Sequence, residues 1–233
     1  MAYVFDFGAA DRNDKSLLGG KGAGLAEMTD LGLPVPPGFT ITTEACRAMM
    51  RDGDLPESLW DEVDKALARL EEKTGRQFGG GPVPLLLSVR SGAVHSMPGM
   101  MDTVLNLGSN DDVVETLIEW SGDSHFAWDV YRRFIQMYGD VVLGVPERLF
   151  QSVLSELRGK RGVNSDADLA DSDLREAAQR FQAIVREEAS TPVPTDPKDQ
   201  LRGAIEAVFK SWENRRAVDY RRIHGIPDDL GTA

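Results

Sequence analysis

A glycine-rich segment near the start of the chain constrains its folding more than any other feature. Residues 16–28 read SLLGGKGAGLAEM, in which four glycines surround one lysine and precede a helix-favouring run. Glycine allows a positive φ and lets another group approach the backbone closely. The first N–H groups of a helix lack internal partners and attract anions, and Lys21 adds a positive charge. The segment therefore predicts either an anion site, above all for phosphate, or a flexible turn with a solvated lysine.

Two common phosphate-binding motifs do not match this segment. A P-loop requires Ser or Thr directly after the lysine and a first glycine six residues before it. Here Gly22 follows Lys21, and residues 13–16 contain no glycine. The dinucleotide fingerprint G-x-G-x-x-G fails because Leu25 stands where the third glycine or alanine belongs. An anion site at this segment would therefore be of another type.

The charge and the cysteine content exclude several classes of protein. The net charge of −12 disfavours nucleic acids and anionic membranes as partners, because both need a positive field. Cys46 is the single cysteine, which excludes an internal disulfide and a cysteine-based zinc site. The first residues lack the basic and apolar regions of a secretion signal. We therefore expect a cytoplasmic protein that binds no membrane.

Short strands and helices are predicted around the glycine-rich segment. Residues 3–7 and 39–42 are aromatic and β-branched, which predicts two strands. The helix between them is expected to carry Leu25, Met28 and Leu31 on one face.

A third strand is predicted at residues 84–90, where apolar residues are almost continuous. Such a run is typical of a strand that is buried on both faces. It ends at Arg90, and a cation at the end of a buried strand requires an anion or an open strand mouth. Ligands collect at such strand ends in open α/β sheets, so Arg90 is a second candidate for phosphate binding.

The segment after Arg90 has neither helical nor strand periodicity. Residues 94–108 contain three methionines, a proline and two glycines. A buried loop filled by methionine and a mobile loop over a ligand both fit this composition. The position directly after Arg90 favours the mobile loop.

Helical patterns dominate from residue 110 onward, and no strand is predicted up to residue 190. One amphipathic helix is expected to carry on one face Phe126, Val130, Phe134, Met137 and Val141. Asn214 is expected to cap a further helix that contains four arginines. Arginines in such a helix are most often surface residues in ion pairs, and one or two of them are compatible with a nearby phosphate site.

The sequence contains cations suited to phosphate but no complete catalytic set. His95, His125 and His224 lie in unrelated contexts, without the spacing of metal ligands. His95 is the best functional candidate among them because it lies in the methionine-containing segment of residues 94–108. Phosphoryl transfer relies on cations and Mg²⁺, whose carboxylate ligands cannot be identified in this sequence.

Several segments together resemble the N-terminal nucleotide-binding region of the pyruvate phosphate dikinase family. They are GGKGAGLAEM (19–28), PPGF (36–39), LSVRSGA (87–93), SMPGMMDTVLNLG (96–108), YRRFIQMY (131–138) and SWENRRA (211–217). The methionine-rich loop is the most specific of them. Phosphoenolpyruvate synthase and rifampicin phosphotransferase share the Gly-Gly-Lys and Arg-Ser elements, and we expect a different loop in those proteins.

The resemblance implies an α+β fold: the first part of an ATP-grasp domain, a small mixed sheet with helices, carrying an all-helical inserted subdomain. We expect residues 1–109 with 197–233 to form the ATP-grasp subdomain and residues 110–196 the helical one. The family converts ATP, phosphate and pyruvate to AMP, pyrophosphate and phosphoenolpyruvate through a phosphohistidine on a separate domain. The resemblance ends before the second ATP-grasp half, the histidine domain and the pyruvate-binding barrel. We therefore expect a partial nucleotide site that is inactive alone.

Carried over residue by residue, the resemblance assigns Lys21 and Arg90 as contacts to the ATP phosphates. It assigns a glycine-containing loop near the phosphates to Gly99, Met100, Met101, Asp102 and Thr103. It implies Mg²⁺ as a cofactor that arrives with ATP, with ligands outside this chain, and no catalytic residue within it. The implied partners are ATP, the phosphohistidine and pyruvate-binding domains, and a second copy in a full-length homodimer.

Two other functions remain open at this point. The chain could be a non-catalytic nucleotide-binding or regulatory module that keeps the fold. It could also be the ATP-grasp part of a related phosphotransferase such as phosphoenolpyruvate synthase.

Overall fold

The computed structural model describes residues 2–9, 11 and 13–233. Their helices are α1 Lys15–Asp30, α2 Thr43–Asp52, α3 Ser58–Thr74, α4 Asp111–Ser121, α5 Ser124–Val141, α6 Glu147–Arg161, α7 Asp171–Glu188, α8 Pro197–Lys210 and α9 Arg215–His224. Their strands are β1 Val4–Asp6, β2 Phe39–Ile41, β3 Gln77–Phe78, β4 Pro84–Leu85, β5 Leu87–Arg90 and β6 Thr103–Leu107. The mixture of helices with small sheets confirms the α+β class.

The strands pair two by two. β1 and β2 are antiparallel, with Val4 opposite Ile41, and β3 and β4 are parallel. β5 pairs with β6. The predicted strands at residues 3–7 and 39–42 are confirmed.

The described residues divide into two compact units. The first contains the described residues up to Gly75, together with Arg90–Asp102 and Glu206–Ala233. In this unit α1 packs against α2, and α3 packs against β1. Leu18, Ala23 and Ala26 of α1 form a small core with Phe5. The small residues of the glycine-rich segment therefore face the core of this unit, while Lys21 is exposed.

The second unit contains Arg76–Val89 and Thr103–Ile205. Its α5 packs against both α7 and β6, and Phe150 meets Phe181 edge to face at 4.9 Å. The buried Gln200 accepts a hydrogen bond from the Gly108 N–H at 2.8 Å and donates to the Ser109 carbonyl at 2.9 Å. Gln200 thereby fastens the end of β6 to α8 within this unit.

Residues 110–190 contain helices and no strand in the structure, as predicted. Asn110 is the N-cap residue before α4, and its side chain accepts a hydrogen bond from the Val113 N–H. Asp196 precedes α8 and accepts from the Lys198 N–H at 2.7 Å. These helix starts follow the preference of Asn and Asp for the N-cap position.

The prediction of one buried strand at residues 84–90 is wrong. The run divides into β4 and β5, and along β5 partly buried residues alternate with exposed ones. Arg90 is exposed, so it does not end a buried strand. The loop predicted over residues 94–108 is also too long, because residues 103–107 form β6.

The predicted buried faces of two helices need correction. Met28 of α1 and Leu31, which directly follows this helix, are exposed, because the small residues of the helix face the core instead. In α5, Phe126 is 41% exposed, while Tyr131, Ile135 and Tyr138 are buried. The spacing of the apolar residues predicts that both helices exist. Which face of a helix is buried depends on the neighbouring helix that packs against it.

Candidate functional site

The glycine-rich segment forms a kinked helix that touches another backbone segment. Gly19 breaks the helical path of α1 with φ 66° and ψ 172°, a combination that essentially only glycine adopts. A Cβ atom at Gly19 would lie 1.6 Å from the Gly92 carbonyl oxygen. The neighbouring Gly20 N–H donates to the Ala93 carbonyl at 2.9 Å. These two glycines therefore serve the close approach of residues 19–20 to residues 92–93.

The approach of the two backbones brings Lys21 close to Arg90. The Lys21 ammonium Nζ donates to the Ser91 carbonyl at 2.7 Å. Partial burial lowers the pKa of Lys21 first, and the positive charge of Arg90 lowers it further. Across the residues that the structure describes, neither cation forms an ion pair with a carboxylate. The two cations, Lys21 and Arg90, therefore form a local region of positive charge on a chain whose net charge is −12.

The last residues of the chain hold Gly92, which lies two positions after Arg90. Gly92 N–H donates to the Ala233 carbonyl at 2.8 Å, and Ala233 N–H donates back to Gly92 at 3.2 Å. The Gly92 N–H also lies 3.1 Å from the Thr232 hydroxyl oxygen. Because Gly92 pairs with residue 233 and contacts Gly19, its position is fixed between two segments.

The methionine-rich loop, residues 94–102, has a buried anchor and an exposed tip. Met97 is buried, while Pro98 and Gly99 are exposed. Gly99 has φ 72°, and a Cβ atom placed there would meet no atom within 4 Å. The backbone N–H groups of Gly99 and Met101 donate no hydrogen bond to any described residue, so both are available to an acceptor.

Asp102 fixes the end of this loop. Its N–H donates to the Ser211 hydroxyl at 3.1 Å, and its carboxylate accepts from Asn214 Nδ2 at 2.7 Å. The Arg216 guanidinium forms an ion pair with the same carboxylate and donates from Nε to the Met100 carbonyl at 3.0 Å. Thr103 follows as the first residue of β6.

The predicted site residues thus form two groups. Lys21 and Arg90 make up one group, and the loop residues 99–102 with their contacts to Asn214 and Arg216 make up the other. In the described parts of the chain, no hydrogen bond or ion pair joins one group to the other.

Sequence reasoning missed the contacts of Asn214, Arg216 and Arg221. Asn214 lies at the predicted N-cap of α9, but its side chain makes no capping bond there and reaches Asp102 instead. Arg221 was expected at the surface, yet it is buried with its guanidinium carbon 4.1 Å from the Trp212 ring centre. More than 100 residues separate Asp102 from Asn214 and Arg216, and no local sequence pattern predicts contacts between residues so far apart.

The described residues do not offer a site suited to Mg²⁺. No group of three or more His, Cys, Asp or Glu side chains among them is arranged to hold a metal ion. Asp102 is the one carboxylate among the predicted phosphate-site residues, and Asn214 and Arg216 already engage its oxygens. None of the helices formed by the described residues has both the length and the apolar character needed to cross a bilayer.

Comparison with known proteins gives a family match over almost the whole chain. A family described as "Pyruvate phosphate dikinase, AMP/ATP-binding domain" matches residues 15–59 and 47–233. The chain is 51% identical to a pyruvate, phosphate dikinase of Rhizobium meliloti (strain 1021), over 99% of this chain and 26% of that protein. It is 49% identical to the Clostridium symbiosum protein of the same name, over 99% of this chain and 27% of that protein. The chain thus spans about a quarter of the length of these curated relatives.

Proposed function

The chain belongs to the pyruvate phosphate dikinase AMP/ATP-binding family, and from this premise we propose that it binds the phosphates of ATP. The observation that carries the proposal is the pairing of Lys21 with Arg90 without a carboxylate partner in the described residues. Phosphoryl transfer depends on such cations, because charge develops on the transferred oxygens. In this role Lys21 contributes a point charge and Arg90 a planar fork of donors.

The loop residues supply the second part of the proposed site. Gly99 and Met101 contribute backbone N–H groups, which bind phosphate oxygens as helix N-termini do. Met100 lies between these two residues, Asp102 holds the loop end through its own contacts, and Thr103 follows it. The positive φ of Gly99 lets the chain turn with its amide exposed.

We place this site in the first half of an ATP-grasp domain of a cytoplasmic dikinase. Residues 1–109 with 197–233 would form the ATP-grasp subdomain, and residues 110–196 the helical insert. The reaction would consume ATP, phosphate and pyruvate and pass a phosphoryl group through a histidine on another domain. Mg²⁺ would arrive with ATP and take its carboxylate ligands outside this chain, and the full-length protein would be a homodimer.

Calorimetry on the chain itself tests the proposal. Because the site is partial, we expect weak binding of Mg-ATP, with a Kd of about 1 mM. Lys21→Ala and Arg90→Ala should each weaken binding at least fivefold, since each removes a cation from the phosphates. Lys65→Ala, which removes an exposed cation on α3, is the matched control and should bind as wild type does. Binding that is absent in the wild type, or equal in all four proteins, would refute the proposal.

A further inference from the structure

Asp102, Asn214 and Arg216 form a network whose role is not explained by phosphate contact alone. A carboxylate beside a phosphate is repulsive unless a cation neutralises it. Arg216 supplies that cation through its ion pair with Asp102. Asn214 occupies the second carboxylate oxygen at 2.7 Å. The Asp102 side chain is therefore engaged from two sides and faces α9 instead of an anion.

The network also grips the loop at two points. The Arg216 guanidinium binds the Asp102 carboxylate and also the Met100 carbonyl, with Nε 3.0 Å from that oxygen. The residue between these two points is Met101, whose N–H donates to no described residue. One arginine thus holds both neighbours of a free backbone donor.

The base of the network is buried and hydrogen-bonded. Ser211 is buried, accepts from the Asp102 N–H and donates its own hydroxyl to the Val208 carbonyl at 2.6 Å. Its neighbour Trp212 is fully buried, and its indole donates to the Asp228 carbonyl at 2.9 Å. A loop without helix or strand loses backbone entropy when a ligand orders it, so such an anchor lowers the entropy that ligand binding has to remove.

We propose that Arg216 and Asn214 are positioning residues that preorganise the methionine-rich loop for phosphate binding. The inference rests on the proposed function of that loop. Neither residue touches the ligand. They hold residues 100–102 so that the backbone N–H groups at the tip keep one geometry before ATP arrives, which raises affinity by lowering the entropy lost on binding.

Arg216→Ala is the principal test, and the adjacent Arg215→Ala is its control. Arg215 lies on the same helix with a side chain that is 97% exposed, and it pairs only weakly with Asp219 of its own helix at 3.7 Å. Both changes remove one positive charge. Hydrogen–deuterium exchange of the ligand-free chain should be at least tenfold faster in Arg216→Ala, and unchanged in Arg215→Ala, at the two loop amides that are hydrogen-bonded, Met100 to the Met97 carbonyl and Asp102 to the Ser211 hydroxyl.

Binding of inorganic tripolyphosphate then tests the functional half. We expect affinity to fall about tenfold in Arg216→Ala and about threefold in Asn214→Ala, with wild-type affinity in Arg215→Ala. Arg216→Lys, which retains the charge but reaches one partner instead of two, should recover part of the loss. The thermal midpoint of each variant, measured in parallel, distinguishes a loosened loop from an unfolded chain.

The outcomes separate this inference from the proposed function. Wild-type exchange in Arg216→Ala overturns the anchor, even if tripolyphosphate binds well. Faster exchange with unchanged affinity overturns positioning and leaves the phosphate site standing. Failure of the wild type to bind tripolyphosphate overturns the proposed function and the positioning role together, while the exchange data still report whether the loop is anchored.

Discussion

The contact between Gly19 and Gly92 makes a sharp prediction about stability. Gly19→Ala would place a methyl group 1.6 Å from the Gly92 carbonyl oxygen and 2.7 Å from its carbon. Both are backbone atoms, so no side chain can rotate away. Gly92 is in addition held by its hydrogen bonds to Ala233, which oppose a shift of this segment.

Two terms set the expected loss. The backbone conformation of Gly19, φ 66° and ψ 172°, costs a residue with a side chain about 1–3 kcal/mol. Relief of the overlap requires a backbone shift, which costs about 1–3 kcal/mol more in a packed region. Together they predict a loss of about 4 kcal/mol in the free energy of unfolding. This is a large fraction of the total free energy of unfolding of a typical domain, which is roughly 5–15 kcal/mol.

Urea unfolding followed by circular dichroism measures this loss, and Gly24→Ala is the matched control. Gly24 lies in the same helix, and a Cβ atom there would meet nothing within 4 Å. Alanine in a helix is favoured over glycine by about 0.5–1 kcal/mol, so this variant should be slightly more stable than wild type. A Gly19→Ala chain within about 0.5 kcal/mol of wild type, or an equal loss in Gly24→Ala, would refute the packing role of Gly19.

Three further predictions concern titratable groups. The pKa of Lys21 is lowered from the usual 10.5 of a lysine, so ATP affinity should fall as the pH rises through this lowered pKa. In calorimetric titrations, Lys21→Arg should move the fall in affinity to higher pH. The hydrogen bond from Arg161 lowers the pKa of Asp173, so its stabilisation is complete above the ordinary pKa and is lost as the pH falls through the lowered one. Asp173→Asn should therefore cost about 1 kcal/mol in urea at pH 7, limited by solvent screening, and this cost should shrink as the pH is lowered through the pKa of the carboxyl. Burial raises the pKa of the Cys46 thiol to about 11, so a thiol reagent at pH 8 should label it rapidly only in denaturant; fast labelling of the folded chain would contradict its burial.

Local chemistry explains why much of the fold was predictable from sequence. Asn110 before an apolar run and Asp196 before Pro197 are helix-start patterns that act within three or four residues. The β-branched and aromatic content of β1 and β2 acts over a similarly short range. Such signals survive in the folded chain because tertiary contacts do not oppose them.

The division of residues 84–90 and the buried face of α1 depended on contacts that no local pattern encodes. Leu86 interrupts the run between β4 and β5, although the apolar composition is continuous. In α1 the small residues Gly22 and Ala23 are buried because other segments approach closely, with Thr40 side-chain atoms 3.0 Å from a Cβ built at Gly22. Hydrophobic spacing favoured Met28 and Leu31, whose exposure reflects packing by size instead.

The candidate site also contains residues that the sequence singled out and contacts that it could not predict. Lys21 and Arg90 stood out in sequence because each interrupts a glycine-rich or apolar run, and residues 99–103 stood out by composition. The anchors Asn214 and Arg216 were not predictable, since their partners lie more than 100 residues away. The sequence also singled out the glycines at 19 and 20, which the structure places in contact with another backbone segment, while phosphate binding by Lys21 stays a prediction.

Backbone amide NMR of the isotope-labelled chain tests the central claim most directly. Titration with inorganic tripolyphosphate, and separately with ATP, should shift the amides of Lys21, Gly92, Gly99 and Met101 in the same direction. Adenosine at equal concentration should leave these four amides unmoved. Shared phosphate-dependent shifts at both groups would confirm that they line one phosphate site. Shifts confined to other residues, or shifts at one group only, would contradict it.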